Sequence, residues 1–224
     1  MKGKDNKKTG AGNTRVLIIY YSFSRQTRKL IKTVERGLSS TGVTVVLERL
    51  VPLKPLRFPF DSFLQTVYMM IITFFRKRMP IQDISPKALE DYDLIIIAGP
   101  TWSFNPCGPI LSFLDRYCTR IFNGRVVLPM ISCRRYWWYH ASYLQKRIRK
   151  CGGRTLSPWA LNHPVSEPWN TIGLFLTLMG KNPKRVAILK KFYVRYGHSN
   201  RQLEKLEKKA RDLGIALIQG NIQG

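Results

Sequence analysis

The stretch RVLIIYYSFSRQTRKL, residues 15–30, decides how this chain folds. It opens on a continuous run of branched and aromatic apolar residues, the composition of a strand buried on both faces of a sheet. A polar loop, Ser22 to Gln26, follows, and then Leu30, Ile31, Val34 and Leu38 recur at helical spacing on one face. Gly42 closes that helix, and VTVVLERL (43–50) supplies the next strand. Strand, polar loop, helix and strand in this order make the opening of a βαβ unit.

The unit recurs along the chain. DLIIIAG (93–99) is a second doubly apolar run; it ends in the loop PTWSFNPCGP and enters a helix at Ile110, Leu111, Phe113 and Leu114. GRVVLPMIS (124–132) leads into RRYWWYHASYLQKRIRK, a helix from about Tyr136 to Gly152-Gly153. RTLSPWAL (154–161) reads as a fifth strand, and a last amphipathic helix, about Asn200 to Ile218, buries Leu203, Leu206, Ala210, Leu213 and Leu217. This alternation predicts an α/β domain, a five-stranded parallel sheet covered by helices. Right-handed crossovers put all strand-to-helix loops on one edge, where ligands of such folds bind. Ser22–Thr27, Pro100–Pro109 and Ser132–Tyr139 share that edge. Residues 1–14 read as a flexible basic tail, and 15–224 as one domain with insertions at about 51–85 and 162–198.

Lys and Arg number 38 against 13 Asp and Glu, a formal charge of +25, while 44% of the 224 residues are hydrophobic. That apolar share supports a core and excludes a chain disordered throughout. The charge admits phosphate-rich partners without choosing among nucleic acid, anionic lipid and phosphorylated cofactors. Cys107, Cys118, Cys133 and Cys151 form no C-x-x-C pair, and His140, His163 and His198 are scattered. Structural zinc, a redox dithiol and a disulfide framework are therefore not expected. The first apolar run, Val16–Tyr21, is too short for a signal peptide. These features predict a metal-free, reduced, cytoplasmic protein.

The loop at 22–27 lacks both G-x-G-x-x-G and G-K-S/T, which counts against a dinucleotide fingerprint and a P-loop. Its hydroxyls stand at a helix start whose free N–H groups attract an anion; ordinary helix capping explains them equally well. Together with YDLIIIAGPTWSFNPCGPILSFL, the loop resembles the flavodoxin-like family. There the first loop reads roughly S/T-x-S/T-G-x-T and wraps the phosphate of FMN. The resemblance spans residues 15–160 and includes the last helix. It implies a flavodoxin-like three-layer sandwich with strand order 2-1-3-4-5. It also implies that Ser22, Ser24, Arg25, Gln26 and Thr27 meet the phosphate. Pro100, Thr101, Trp102, Ser103 and Phe104 would flank the flavin ring, with Ser132, Cys133 and Arg134 in a second ring loop. Arg25 departs from the pattern, standing where the family has glycine, whose backbone freedom arginine lacks. Either Arg25 pairs with the phosphate or the flavin site is altered. FPFDSFL (58–64) and the S-C-R-x-x-W pattern at Ser132–Trp137 are similar to a bacterial subgroup named for dialkylresorcinol condensation.

The resemblance implies an FMN-dependent oxidoreductase passing electrons from NAD(P)H to a quinone or other lipophilic acceptor. Two alternatives stand beside it: a flavodoxin-type electron carrier, and a non-enzymatic basic module that has lost flavin and binds membrane or nucleic acid. Nucleic acid ranks last, because the chain carries no recognisable nucleic-acid motif. Relatives often dimerise, so a homodimer is compatible, although no interface is marked. Trp102 is the first candidate for stacking on a planar ligand; among Tyr136, Trp137, Trp138 and Tyr139, about half are expected in the core. Cys107 and Cys133 read as buried and inert, and His140 as a helix-surface histidine.

Two apolar segments remain. FPFDSFLQTVYMMIITFFRKRMP (58–80) places Phe60, Phe63, Leu64, Val67, Ile71, Phe74 and Phe75 at helical spacing, and predicts a crossover helix packed on the sheet. PWNTIGLFLTLMGKNPKR (168–185) has the same design, and each segment ends in a basic cluster. The competing reading is a pair of helices at an anionic membrane surface, peripheral on its inner face, or a cover for a lipophilic substrate.

Overall fold

The computed structural model describes residues 14–56, 60, 62–192 and 197–222. The expected tail therefore lies outside the described residues, Thr14 excepted. Its elements are β1 (Arg15–Tyr20), α1 (Gln26–Ser39), β2 (Thr44–Arg49), α2 (Phe63–Phe74), β3 (Leu94–Trp102) and β4 (Asn105–Pro106). They continue as α3 (Gly108–Phe122), β5 (Val126–Cys133), α4 (Trp137–Lys150), β6 (Arg154–Thr155), β7 (Trp159–Asn162), α5 (Trp169–Leu178), α6 (Ala187–Phe192) and α7 (Asn200–Ile218).

The sheet runs β2-β1-β3-β5-β6, with β7 also pairing β5, and every one of these pairings is parallel. This is the expected 2-1-3-4-5 order, with β5 as the fourth parallel strand and β6 and β7 sharing the fifth place. The fifth strand is broken around Pro158, which lacks an N–H for the ladder. β4 folds back antiparallel on β3, pairing Trp102 with Asn105.

Side-chain alternation along β1 and β3 divides the core between the two faces. Leu17, Ile19, Ile95 and Ile97 pack under α3 and α4, against Phe113, Phe122, Leu144 and Ile148. Val16, Ile18, Leu94 and Ile96 face α1 and α7, against Leu30, Val34, Leu206 and Ala210. Burying a side chain of this size contributes roughly 1.5–3 kcal/mol, so the two runs recognised in sequence hold all three layers together. The α1–α7 contact depends on Gly37, where an added Cβ would stand 2.5 Å from the Glu207 carbonyl oxygen and 2.7 Å from Ala210 Cβ.

Three expectations are corrected. Cys118 and Cys151 are joined in a disulfide, with their Cα atoms 5.8 Å apart; α3 and the end of α4 lie side by side, although the cysteines are 33 residues apart in sequence. His140 is fully buried rather than on a helix surface. The α2 helix does not pack on the sheet, since Thr66 is its one buried residue. Ile81, Ile84 and Ala88, downstream of α2, fill that face of the core instead. Among the described residues no helix is long and apolar enough to cross a membrane.

Candidate functional site

The carboxyl ends of β1, β3 and β5 are adjacent in the sheet and bring the three predicted loops together. The first loop makes its turn at Arg25, which has φ 62° and ψ −5°, the left-handed conformation. Arginine thus adopts the backbone that glycine would, at about 1–2 kcal/mol. The Ser22 hydroxyl accepts from the Arg28 N–H at 3.2 Å. Thr27 is buried, Ser22 and Ser24 are half-buried, and Arg25 is exposed. The first turn of α1 contains no acidic residue. Its free N–H groups, the hydroxyls and the Arg25 charge make a donor set that fits a phosphate monoester.

In the second loop Trp102 stands half-buried and edge-on to both Tyr21 and Phe23, each ring centroid 5.7 Å away. Phe60 extends this wall from Phe23. Ser103 and Phe104 both have positive φ, which fits the sharp reversal between β3 and β4. Thr101 Oγ1 lies 2.9 Å from Nδ1 of the buried His140. The Ser103 hydroxyl donates to the Met70 carbonyl at 2.9 Å and meets the Thr73 hydroxyl at 2.8 Å. Asn105 donates to the Phe74 and Ser103 carbonyls and accepts from Arg76 Nε at 2.8 Å. The loop is therefore clamped to the end of α2. Phe104 packs edge-on against Tyr136 and Tyr139, and Trp137 joins the core while Trp138 and Tyr139 stay exposed.

The third loop is tied to residues 162–198. Ser132 Oγ is 3.2 Å from His198 Nε2, and the Cys133 thiol donates to Asn162 Oδ1 at 2.8 Å. Arg134 donates to the carbonyl and the side-chain oxygen of Asn170, at 2.8 and 2.7 Å, which anchors α5. The Gly197 N–H donates to His163 Nε2 at 3.1 Å, and Gly197 also abuts the Gln26 side chain, so this segment ends against the first loop. Burial pushes both His163 and His198 down to about 4, with the charges of Arg134 and Lys29 adding to the respective shifts. Burial pushes Cys107 and Cys133 up to about 12, so both thiols stay protonated and inert, as expected.

The structure thus gathers all thirteen predicted residues on one edge, but Ser103 and Arg134 spend their polar groups on α2 and α5. Asn105, His163, Asn170 and His198 were missed in sequence. The Asn105-Pro106 pair, a turn signal, and Gly197-His198 ahead of a helix start are the marks that point to two of them. A separate surface hollow of about 350 Å³, lined by Thr41, Arg211 and Ile215, sits by the C-terminal end of α1, at the opposite edge of the sheet.

No family model matches the chain. Among solved structures it is similar to a flavoprotein in complex with FMN from Lactobacillus acidophilus, at 20% identity and a TM-score of 0.52, over 66% of this chain and 93% of that one. It is similar to an archaeal flavodoxin at 13% identity and a TM-score of 0.53, over 91% and 99%. It is also similar to oxidised flavodoxin 1 from Bacillus cereus, at 13% and 0.52, over 94% and 100%. The fold is flavodoxin-like.

Proposed function

We propose that the chain binds FMN across the carboxyl ends of β1, β3 and β5 and serves in electron transfer, passing electrons from NAD(P)H to a quinone or other lipophilic acceptor. The observation that carries the reading is Arg25 held at φ 62° in the first loop. A chain with no use for this turn gains nothing from forcing arginine into it. Flavoproteins among the structural neighbours, one of them in complex with FMN, support the choice of ligand.

The α1 N-terminus, the hydroxyls of Ser22, Ser24 and Thr27, and the Arg25 cation would hold the phosphate, beside Gln26. Trp102, backed by Tyr21 and Phe23, would wall the ring together with Pro100, Thr101 and Phe104, and Ser132 and Cys133 would border its far side. Bound FMN supplies hydride or single-electron chemistry. The surrounding residues exclude water and orient the ring, and neither free thiol is available as a nucleophile. The narrower kinship with the dialkylresorcinol-named subgroup rests on the Ser132–Trp137 pattern and on residues 58–64, of which 58, 59 and 61 lie outside the described residues.

Visible absorbance during titration with FMN tests the reading. A flavin spectrum that stays with the protein through gel filtration is expected; a protein that remains colourless refutes it. Reoxidation of the NAD(P)H-reduced complex by a quinone then distinguishes an oxidoreductase from a carrier.

A further inference from the structure

We propose that the exposed apolar face of α2, continued by α5, docks on the surface of an anionic lipid bilayer. Leu64 and Phe75 are 78% and 75% exposed, and Phe63, Tyr68, Ile71 and Phe74 lie exposed on the same helix and its end. An open apolar patch of this kind marks an interaction surface. α5 extends it: the Phe63 and Phe175 rings are 6.2 Å apart, the Phe60 N–H donates to the Leu178 carbonyl at 2.6 Å, and Ile172 is exposed.

Charge identifies the occupant. Residues 62–80 and 168–192, which hold the two helices, contain eight Lys and Arg and no Asp or Glu. The cations follow each apolar helix directly, as Arg76, Lys77 and Arg78 after α2, and from Lys181 onward after α5. Arg76 is fixed by Asn105 and lies over the Tyr143 ring, and Arg78 is held by Asp115, so the rim is built rather than loosely tethered. An apolar face bordered by cations is complementary to acyl chains beneath a layer of phosphates. The twelve residues of α2 rise only about 18 Å, against roughly 30 Å of hydrocarbon, so the helix lies on the bilayer rather than crossing it. Ser103 and Asn105 tie α2, and Arg134 ties α5, to two loops of the same sheet edge. Docking therefore fixes how that edge faces the lipid, and it does not rest on the flavin reading.

Sedimentation of the purified full chain with vesicles tests the proposal, using phosphatidylcholine alone or mixed with phosphatidylglycerol. Binding to the mixed vesicles at low salt, weakened by added salt, is expected. Leu64→Ser and Phe75→Ser should each lower partitioning on the order of tenfold, from the apolar surface withdrawn from lipid. Lys77→Gln with Lys181→Gln should lower it roughly 25-fold, at about fivefold for each charge. All four positions are exposed, so the variants should keep the wild-type urea midpoint. Absence of binding to mixed vesicles at low salt overturns the proposal. So does unchanged binding by the Leu64→Ser/Phe75→Ser protein. A wild-type dimer that becomes monomeric in that variant, without vesicle binding, also overturns it and assigns the face to a second copy. The assay reads no flavin, so its failure leaves the proposed function standing.

Discussion

Mild acid should destabilise this protein through its three histidines. His140, His163 and His198 are all buried, and burial holds them neutral, His140 down to about 3 and the other two to about 4. In the unfolded chain each recovers a value near 6.5. Below that pH the unfolded state binds more protons, so stability falls as pH falls, and the loss levels off only near the folded values. Linkage gives somewhat under 1 kcal/mol per histidine at pH 6.0 and about 2 kcal/mol at pH 5.0, relative to pH 7.5. Three together remove about 2–3 kcal/mol by pH 6.0 and about 6 by pH 5.0, against a total stability of roughly 5–15 kcal/mol. The lowered carboxylates, Asp83 and Glu207, stay ionised in both states across pH 7.5–6.0 and do not contribute there. Urea unfolding at stepped pH measures the effect; with a slope near 2 kcal/mol/M the midpoint should fall by about 1 M between pH 7.5 and 6.0. His163→Gln with His198→Gln should remove about two-thirds of the pH dependence. A midpoint flat down to pH 6.0, or a dependence unchanged in that variant, would refute the reasoning.

Three further outcomes are expected. Arg25→Gly should leave stability within about 1 kcal/mol, because glycine takes φ 62° freely, and should weaken FMN roughly fivefold in a fluorescence titration; Arg25→Val should cost about 2 kcal/mol in urea. Asn105→Ala removes the donor to the Thr73, Phe74 and Ser103 carbonyls and the acceptor for Arg76, so it should cost about 2–3 kcal/mol and speed hydrogen exchange in α2; unchanged protection there contradicts the clamp. Replacing Cys118 and Cys151 together by Ser should cost about 3–4 kcal/mol on the chain-entropy account of a 33-residue separation, and peptide mapping without reductant should recover the linked pair.

The neighbourhoods that escaped sequence reading share a cause. His140 reads in sequence as a helix-surface histidine, yet it lies on the face that meets the sheet and bonds Thr101. The Cys118–Cys151 pairing depends on which two helices share a sheet face, which spacing does not report. Ser103 and Arg134 were assigned through the loops they occupy. Their partners, Met70 and Asn170, come from insertions whose docking follows no local periodicity. α2 itself was expected on the sheet because its apolar residues recur every three or four positions. That pattern describes a helix with an apolar face and is silent on what the face meets.

By itself the sequence determined the α/β class and the edge that carries the loops, while the strand order was implied by the family resemblance. The first two follow from short-range patterning: runs of doubly buried residues, helical periodicity and the handedness of crossovers. Tertiary structure alone decided that Arg25 keeps a glycine-like turn, that Gly197 and His198 close against the first and third loops, and that an apolar helix stands open beside a basic rim. These depend on contacts between residues far apart in the chain, where packing and charge act through space and leave no periodic trace along the sequence.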